Sequence, residues 1–450
     1  MFRYLCGGGV PRAGRLELTM LDVGEMMNGQ ETRLAVMLAL CVCVMHGQGG
    51  SGGAALTIEQ AVEEAIGHNL DLLAERYNIP VAEARIVTAR LRPNPVLSVG
   101  GDHLDLLGTG YDAINQAGPA EYSVRTDFLL ERAHKRANRI AVAEGSKAVA
   151  ELQLLNAIRT LVLGVQDAYV EGLLAKDNLT LAEENLKAFE DIVDVNRKRV
   201  ASGDLAEVEL LRTELAELQY ESAVRQANLR LRTARVKLQL LLGRGKTDPL
   251  ADVTGQMRRD TRPVVAAELE KTALELRPDL RALERDEARS LADVRLQLAQ
   301  GKVDYTVGTE YRRQQGLAGR GNSLGVFFST NIPVFNKNQG EIERARQERR
   351  QIEARMKALR ATIQSEVETA HLQYMNALKG LERLEGTMLS KAKDVRQITE
   401  FAYRRGEASL VEFLDAQRAY NETIQSYNEA RADFARSLYL MDSASGKASR

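Results

Sequence analysis

Side chains able to do covalent or metal chemistry are few in this 450-residue chain, and their spacing keeps them apart. The five histidines, His46, His68, His103, His134 and His371, include no pair one helical turn apart, and none after Gly47 has a cysteine partner. The three cysteines, Cys6, Cys41 and Cys43, all precede residue 50, so the rest of the chain has no thiolate for a metal, a nucleophile or a disulfide. The glycine-rich stretch Gly316 to Gly325 lacks the Gly-Lys-Ser/Thr ending of a phosphate loop, and no strand-to-helix switch follows it. It reads as a hairpin loop. Asp102, His103 and Asp105 are the one conceivable metal cluster, but they sit at a strand end beside Gly108 and Gly110 and read as loop. No catalytic residue, metal or cofactor is expected.

The elements around these residues explain more. Lysine and arginine number 61 against 62 aspartates and glutamates, so no basic excess exists to neutralise nucleic-acid phosphates. Aromatics make up 5%, tryptophan is absent and prolines number only nine, the composition of long helices packed side by side. Arg33 precedes the apolar run Leu34 to Met45, and a small-residue stretch from Gly47 to Ala55 follows it. This is the pattern of a secretory signal peptide, too short for a membrane-spanning helix of ~20 residues. Translation starting at Met26 or Met27, cleavage between Gln48 and Thr57, and a lipid on Cys41 or Cys43 stay open here.

The remainder is one unit written twice. Asn69-Leu-Asp-Leu-Leu-Ala74 resembles Arg277-Pro-Asp-Leu-Arg-Ala282, Ser98-Val-Gly100 falls on Thr306-Val-Gly308, and Gly203 to Leu211 falls on Gly406 to Leu414. Order and an offset of roughly 200 residues are kept throughout, as an internal duplication requires. The expected division is 1–55 leader, 56–250 first repeat, 251–263 linker and 264–446 second repeat. Each copy reads as helix, strand, strand, long helix, helix. Thr57, with Gln60 as capping-box partner, begins a helix running to about Arg92. Strands follow near Val96 to His103 and Glu121 to Leu130, where Tyr122, Val124, Thr126 and Phe128 alternate with Ser123, Arg125 and Asp127. Helix resumes from about Asn138 to Arg199, turns at Ala201 to Asp204, and continues to Leu242. The second copy has a helix from about Val264 to Gln300, a strand with Val303 to Tyr311, a strand from Leu324 to Ile332, and helix from about Gln339 to Met441 turning at Arg404 to Glu407.

A helix of about sixty residues rises ~90 Å, far longer than a globular domain is wide. Leu152, Leu155, Ile158, Leu161, Val162 and Val165 form a stripe at coiled-coil spacing. The shorter helices are expected to stack end to end beside it. Four strands cannot close a membrane barrel, for which about eight is the minimum, so several chains are expected to share one. A four-stranded periplasmic sheet with coiled-coil arms is the alternative.

With these features the chain resembles the TolC family of outer-membrane efflux channels over nearly all of Leu56 to Gly446. The carriers are Leu56-Thr-Ile-Glu-Gln-Ala61 with Asn69 and Leu72, Arg92-Pro-Asn-Pro95, Ile332-Pro-Val-Phe335, and the turn Tyr403-Arg-Arg-Gly-Glu-Ala-Ser-Leu-Val-Glu-Phe-Leu-Asp-Ala-Gln417. The resemblance implies a homotrimer with a twelve-stranded barrel in the outer membrane and a long periplasmic helical barrel. It implies a passive channel subunit of a tripartite pump, with a periplasmic adaptor and an inner-membrane transporter as partners, of the RND type or else the ABC type. Arg92-Pro-Asn-Pro95 before a glycine-rich strand resembles the heavy-metal (cobalt–zinc–cadmium) branch.

The same resemblance assigns the tip. Gly203, Asp204, Gly406 and Glu407 are implied to dock the adaptor, although ordinary turn glycines would look alike. Glu412 and Asp415 are implied to form an acidic pore ring, against the plain reading that both are solvated face charges. Glu209 and Tyr403 occupy positions of a lock between helix pairs. The basic lock residue expected two places after the second glycine is Ala408 here, which leaves Arg404 or Arg405 to substitute, or a different lock. Two rival readings remain: a periplasmic adaptor, which would carry one hairpin and β-rich modules, and an exported structural coiled coil, which would need no duplicated strand pairs.

Overall fold

Proline-free stretches rich in alanine, leucine and glutamate run on as helix, and the computed structural model of the chain describes residues 55–104, 106–108, 110, 119–260, 265–316 and 319–447. The leader with its cysteines, the expected cleavage region up to residue 54, and Asp105 lie outside the described residues. The first copy comprises α1 (Ile58–His68), α2 (Leu70–Arg76), α3 (Asn78–Arg90), β1 (Val96–Asp102), β2 (Glu121–Leu130), α4 (Lys135–Ala201) and α5 (Glu207–Leu241). The second comprises α6 (Ala266–Leu276), α7 (Pro278–Gln300), β3 (Tyr305–Gly316), β4 (Gly319–Thr330), α8 (Gln339–Arg383), a π-helical turn (Leu384–Met388), α9 (Leu389–Arg405) and α10 (Leu410–Ala444). The expected duplicated order is the observed one. The 67 residues of α4 rise ~100 Å. This spine lies against α3 and α7 near the strands, against α1 further along, and between α5 and α10 toward the far end.

Two expected helices break, and at the same place in each copy. The helix from Thr57 starts with the capping box, Thr57 N–H donating to Gln60 Oε1 at 3.0 Å. At Asn69 the backbone turns to φ −60°, ψ 126°, and its side-chain oxygen accepts from the Leu72 N–H at 2.9 Å, starting a new helix. Pro80 sits in the first turn of α3, where no N–H is needed. In the second copy Arg277 has φ −61°, ψ 123°, and Pro278 opens α7. The duplication aligns Asn69 with Arg277, so the two copies share this backbone bend.

Each bend receives the end of another helix. Gly243 (φ +73°) closes α5 against the carbonyl of His68, and Gly446 (φ +73°) closes α10 against the backbone of Arg277. Asn69 Nδ2 adds a bond to the carbonyl of Leu241, at 2.9 Å. The short helices therefore meet as expected, at two glycines 203 positions apart. Strand also becomes helix alike in both copies, through left-handed residues at the helix N-caps, His134 (φ 58°) and Asn338 (φ 63°). Beside the first of these, the buried Lys135 donates to Asp304 at 2.6 Å.

The π-helical turn was not foreseen: Glu385 within it accepts from Arg259 at 2.5 Å and from the Tyr427 hydroxyl at 3.2 Å. Arg259 belongs to the expected linker, whose described part, 251–260, is a packed strap. Val253 is fully buried and bridges to Leu56.

The four strands form one antiparallel sheet in the order β1-β2-β3-β4, with β2 and β3 joining the copies and β1 and β4 open. The glycine-rich stretch expected to be a loop is instead mostly strand, since Gly319 to Gly325 pair with β3 in register. Glycine is compatible with an extended backbone here because the ladder to β3 supplies the hydrogen bonds.

The junction and tip glycines separate in cost. Gly243→Ala would place a Cβ in the His68 carbonyl as well as straining a positive φ, whereas Gly203 (φ +82°) has open space around it. Gly203→Ala is expected to cost about 1–2 kcal/mol from backbone strain alone. Gly243→Ala should lower the apparent melting temperature, followed by circular dichroism at 222 nm, by clearly more. Equal shifts would mean that the junction is not packed as described.

Candidate functional site

At the end of the bundle away from the strands, two helical hairpins turn side by side. Residues 199–204 close α4 with paired backbone bonds, Asp204 N–H to Arg199 O (2.8 Å) and Gly203 N–H to Val200 O (3.0 Å). Residues 402–407 repeat the pattern, with Glu407 N–H to Ala402 O and Gly406 N–H to Tyr403 O, both 2.9 Å. Both are Schellman caps, which need a left-handed residue that only glycine supplies without strain. Asp204 accepts from the Ser202 hydroxyl at 2.8 Å, and Glu407 is exposed at the equivalent position of the second turn.

Beneath the turns an aromatic cluster joins the two hairpins. Phe189 and Ile192 of α4, Ala216 of α5, Tyr403 of α9, and Leu410 and Phe413 of α10 are buried together. Tyr403 stacks on Phe413 at 5.3 Å and Phe189 on Tyr220 at 4.3 Å. Ala408, which departed from the expected basic residue, packs against this cluster.

The tie between the copies runs through a residue that sequence reasoning missed. Asn196, fully buried, donates through Nδ2 to the Tyr403 hydroxyl (2.8 Å) and to Thr213 Oγ1 (2.9 Å). Thr213 in turn donates to the Glu209 backbone carbonyl at 2.7 Å. Tyr403 thus stands in the tie, while the Glu209 side chain points to Arg212, at 3.0 Å. Arg404 pairs with Glu400 at 2.8 Å, and Arg405 lies 4.2 Å over the Phe401 ring, so neither reaches the other hairpin. Asn196 Oδ1 is buried with no partner, a cost of about 1–3 kcal/mol carried by this arrangement. An asparagine inside a helix gave no signal, because only the fold shows what faces it.

Glu412 and Asp415 are both exposed on α10, three residues apart and so on one side of the helix. Glu412 also completes a capping box, accepting from the Ser409 N–H at 2.7 Å and its hydroxyl at 2.9 Å. These bonds, the backbone one first, hold its carboxyl below the usual glutamate range. The stabilisation is present above the ordinary glutamate pKa and is lost as pH falls through the lowered one. Glu412 is therefore charged at neutral pH.

The opposite end is a two-faced sheet. Register sets Val99, Val124, Tyr311 and Leu324 in one row, with Leu97, Thr126, Thr309 and Val326 in the next row on the same face. The other face is polar: Arg125 chelates Asp127 at 2.8–3.0 Å and Arg312 pairs with Glu310 at 2.8 Å. At its strand end Asp102 accepts from the His103 N–H at 2.9 Å. Among the described residues no group of three or more histidines, cysteines, aspartates and glutamates is placed to hold a metal.

Comparison with known proteins agrees with this geometry. Residues 61–244 and 269–447 match the family described as outer membrane efflux protein. The cobalt-zinc-cadmium resistance protein CzcC of Cupriavidus metallidurans is 24% identical over 364 residues, covering 81% of this chain and 83% of its own. Nodulation protein T of Rhizobium leguminosarum bv. trifolii is 23% identical over 403 residues, covering 86% and 84%. The solved structure of CusC superposes with a TM-score of 0.71 at 18% identity, covering 89% of this chain and 95% of its own.

Tyr403→Phe removes one acceptor from buried Asn196 and should weaken the tie by ~1 kcal/mol. Hydrogen exchange in α9 should speed up several-fold relative to mid-α4, while Arg404→Ala leaves it unchanged. Unchanged exchange in Tyr403→Phe would remove Asn196 from the tie.

Proposed function

The chain belongs to the outer membrane efflux protein family and is the outer-membrane channel subunit of an efflux pump, and we propose that it works as one third of a closed trimeric conduit. It sits in the outer membrane and extends into the periplasm. The observation that carries the trimer is that the chain is four elements wide and open on both sides at the sheet and again at the tip. The sheet ends in β1 and β4, and the tip layer runs α5-α4-α10-α9. The edge helices carry apolar residues that are more than half exposed: Val208, Leu211, Leu215 and Leu218 on α5, and Val395, Ile398 and Phe401 on α9. Two different edges meeting between copies make a head-to-tail contact, which gives a ring when the rotation between copies closes. Three copies give twelve strands, above the minimum for a membrane barrel.

The family works with a periplasmic adaptor and an inner-membrane pump. In this reading the Gly203-Asp204 and Gly406-Glu407 turns dock the adaptor, the Asn196–Tyr403 tie holds the tip closed, and Glu412 with Asp415 forms the constriction. Divalent metal ions are the cargo we favour, because CzcC is named for resistance to cobalt, zinc and cadmium and an acidic ring suits cations. An RND-type transporter is the proposed pump.

The ring is tested electrically. Glu412→Gln with Asp415→Asn removes charge while glutamine keeps a capping-box acceptor. In planar bilayers the double variant should lose cation preference and resist block by trivalent cations. Glu368→Gln, on an exposed face of α8, should change neither. Glu366 would be a poor comparison, because its carboxylate holds buried Arg277. Equal effects at the tip and at Glu368 would make Glu412 and Asp415 ordinary surface charges.

A further inference from the structure

Charge is confined to one face of the sheet with one exception. Asp102, Glu121, Arg125, Asp127, Glu310 and Arg312 all fall on the polar face by register. Among the strand residues only Arg313 and Arg320 are charged and lie on the apolar face, in the rows beyond Tyr311–Leu324. Both are exposed, and neither has an ion pair among the described residues. Arg125 and Arg312, facing the other way, are each paired with a carboxylate. The arginines paired with carboxylates thus lie on the polar face, and these two lie on the apolar one.

Their height on the sheet is equally specific. All the helices join the sheet at the Leu130, Tyr305 and Thr330 end, whereas Arg313 and Arg320 stand near the Gly316–Gly319 hairpin. For a protein whose helices extend into the periplasm, that hairpin is at the outer leaflet. Arg313 pairs in register with Asn322, so Arg320 is its diagonal neighbour, about 7–8 Å away. Two long side chains so placed can reach one headgroup. Among the described strand residues no carboxylate shares this face, so an anion there meets no repulsion from the sheet itself.

We propose that Arg313 and Arg320 form a surface that binds phosphate groups of outer-leaflet membrane lipids. The proposal rests on reading the apolar face as lipid-facing. An unpaired charge at the edge of an apolar band is costly unless it reaches an interfacial partner. A guanidinium offers paired donors that match a phosphate, which a lysine does not. The contact would fix the depth and tilt of the barrel, since it lies beside the Tyr122 and Tyr311 belt.

Full-length protein in detergent is incubated with diphosphorylated lipid A or with its dephosphorylated form, and bound lipid is counted by native mass spectrometry. The wild type should retain the phosphorylated form about tenfold better. Arg313→Gln with Arg320→Gln should abolish that preference, and Arg313→Lys with Arg320→Lys should keep part of it. Both substituted pairs are exposed, and their oligomeric mass in the same spectra reports folding. Equal preference in wild type and the glutamine variant, or no preference in wild type, overturns the proposal. Failure of the lipid-facing reading shows separately, as release of the protein from phosphatidylcholine vesicles by urea.

Discussion

Two unpaired strand edges govern this molecule. In hydrocarbon every backbone N–H and C=O needs a partner, so a sheet with open β1 and β4 edges cannot stay in a bilayer alone. Closure by further copies, as proposed above, would satisfy those edges, and the same operation would cover the apolar edges of α5 and α9 below. The duplication serves this constraint. Each repeat contributes two strands and two long helical rods, so strands and helices stay in step through the whole height of the chain.

Because α4 spans that height, errors in its neighbours would accumulate unless they are fixed at intervals. Polar contacts do this along the α4–α10 seam: Gln417 to Asn185 (3.0 Å), Asn428 to Asn178 (3.0 Å), Arg431 to Asp177 (3.2 Å) and Arg436 to Glu171. Buried amides define a register more strictly than leucines, which pack in several ways. The aromatic cluster at Phe189, Tyr403 and Phe413 closes the seam at the tip, and the Gly446–Arg277 junction closes it near the middle. Between them α9 is lightly held, Tyr403 being its one buried residue. The π-helical turn at its start is pinned to the strap by the Arg259–Glu385 pair.

The architecture was legible because its signals are local. Proline-free runs, the Thr57–Gln60 box, the two glycine turns and the alternation of Tyr122 to Phe128 each act through neighbours in sequence. The helix breaks were missed for a different reason: Asn69 and Arg277 look helical, and only the abutting helix ends at Gly243 and Gly446 justify a bend there. The same holds for Gly319 to Gly325, read as loop until the ladder to β3 supplied partners, and for Asn196, whose role depends on Tyr403, 207 residues away. Glu412 shows the mixed case. Its capping box with Ser409 is a local signal that was overlooked, while any place in a ring depends on other copies.

The claim that matters most is closure by unlike edges. Leu211 on α5 and Ile398 on α9 lie eight positions from Gly203 and Gly406 respectively, and both are exposed. In a background lacking the native cysteines, Leu211→Cys with Ile398→Cys should give covalent bands up to trimer and no further under oxidising denaturing electrophoresis, and neither single variant should give more than traces. A ladder continuing past trimer, or dimers from either single variant, would contradict a three-membered ring closed by α5 of one copy against α9 of the next.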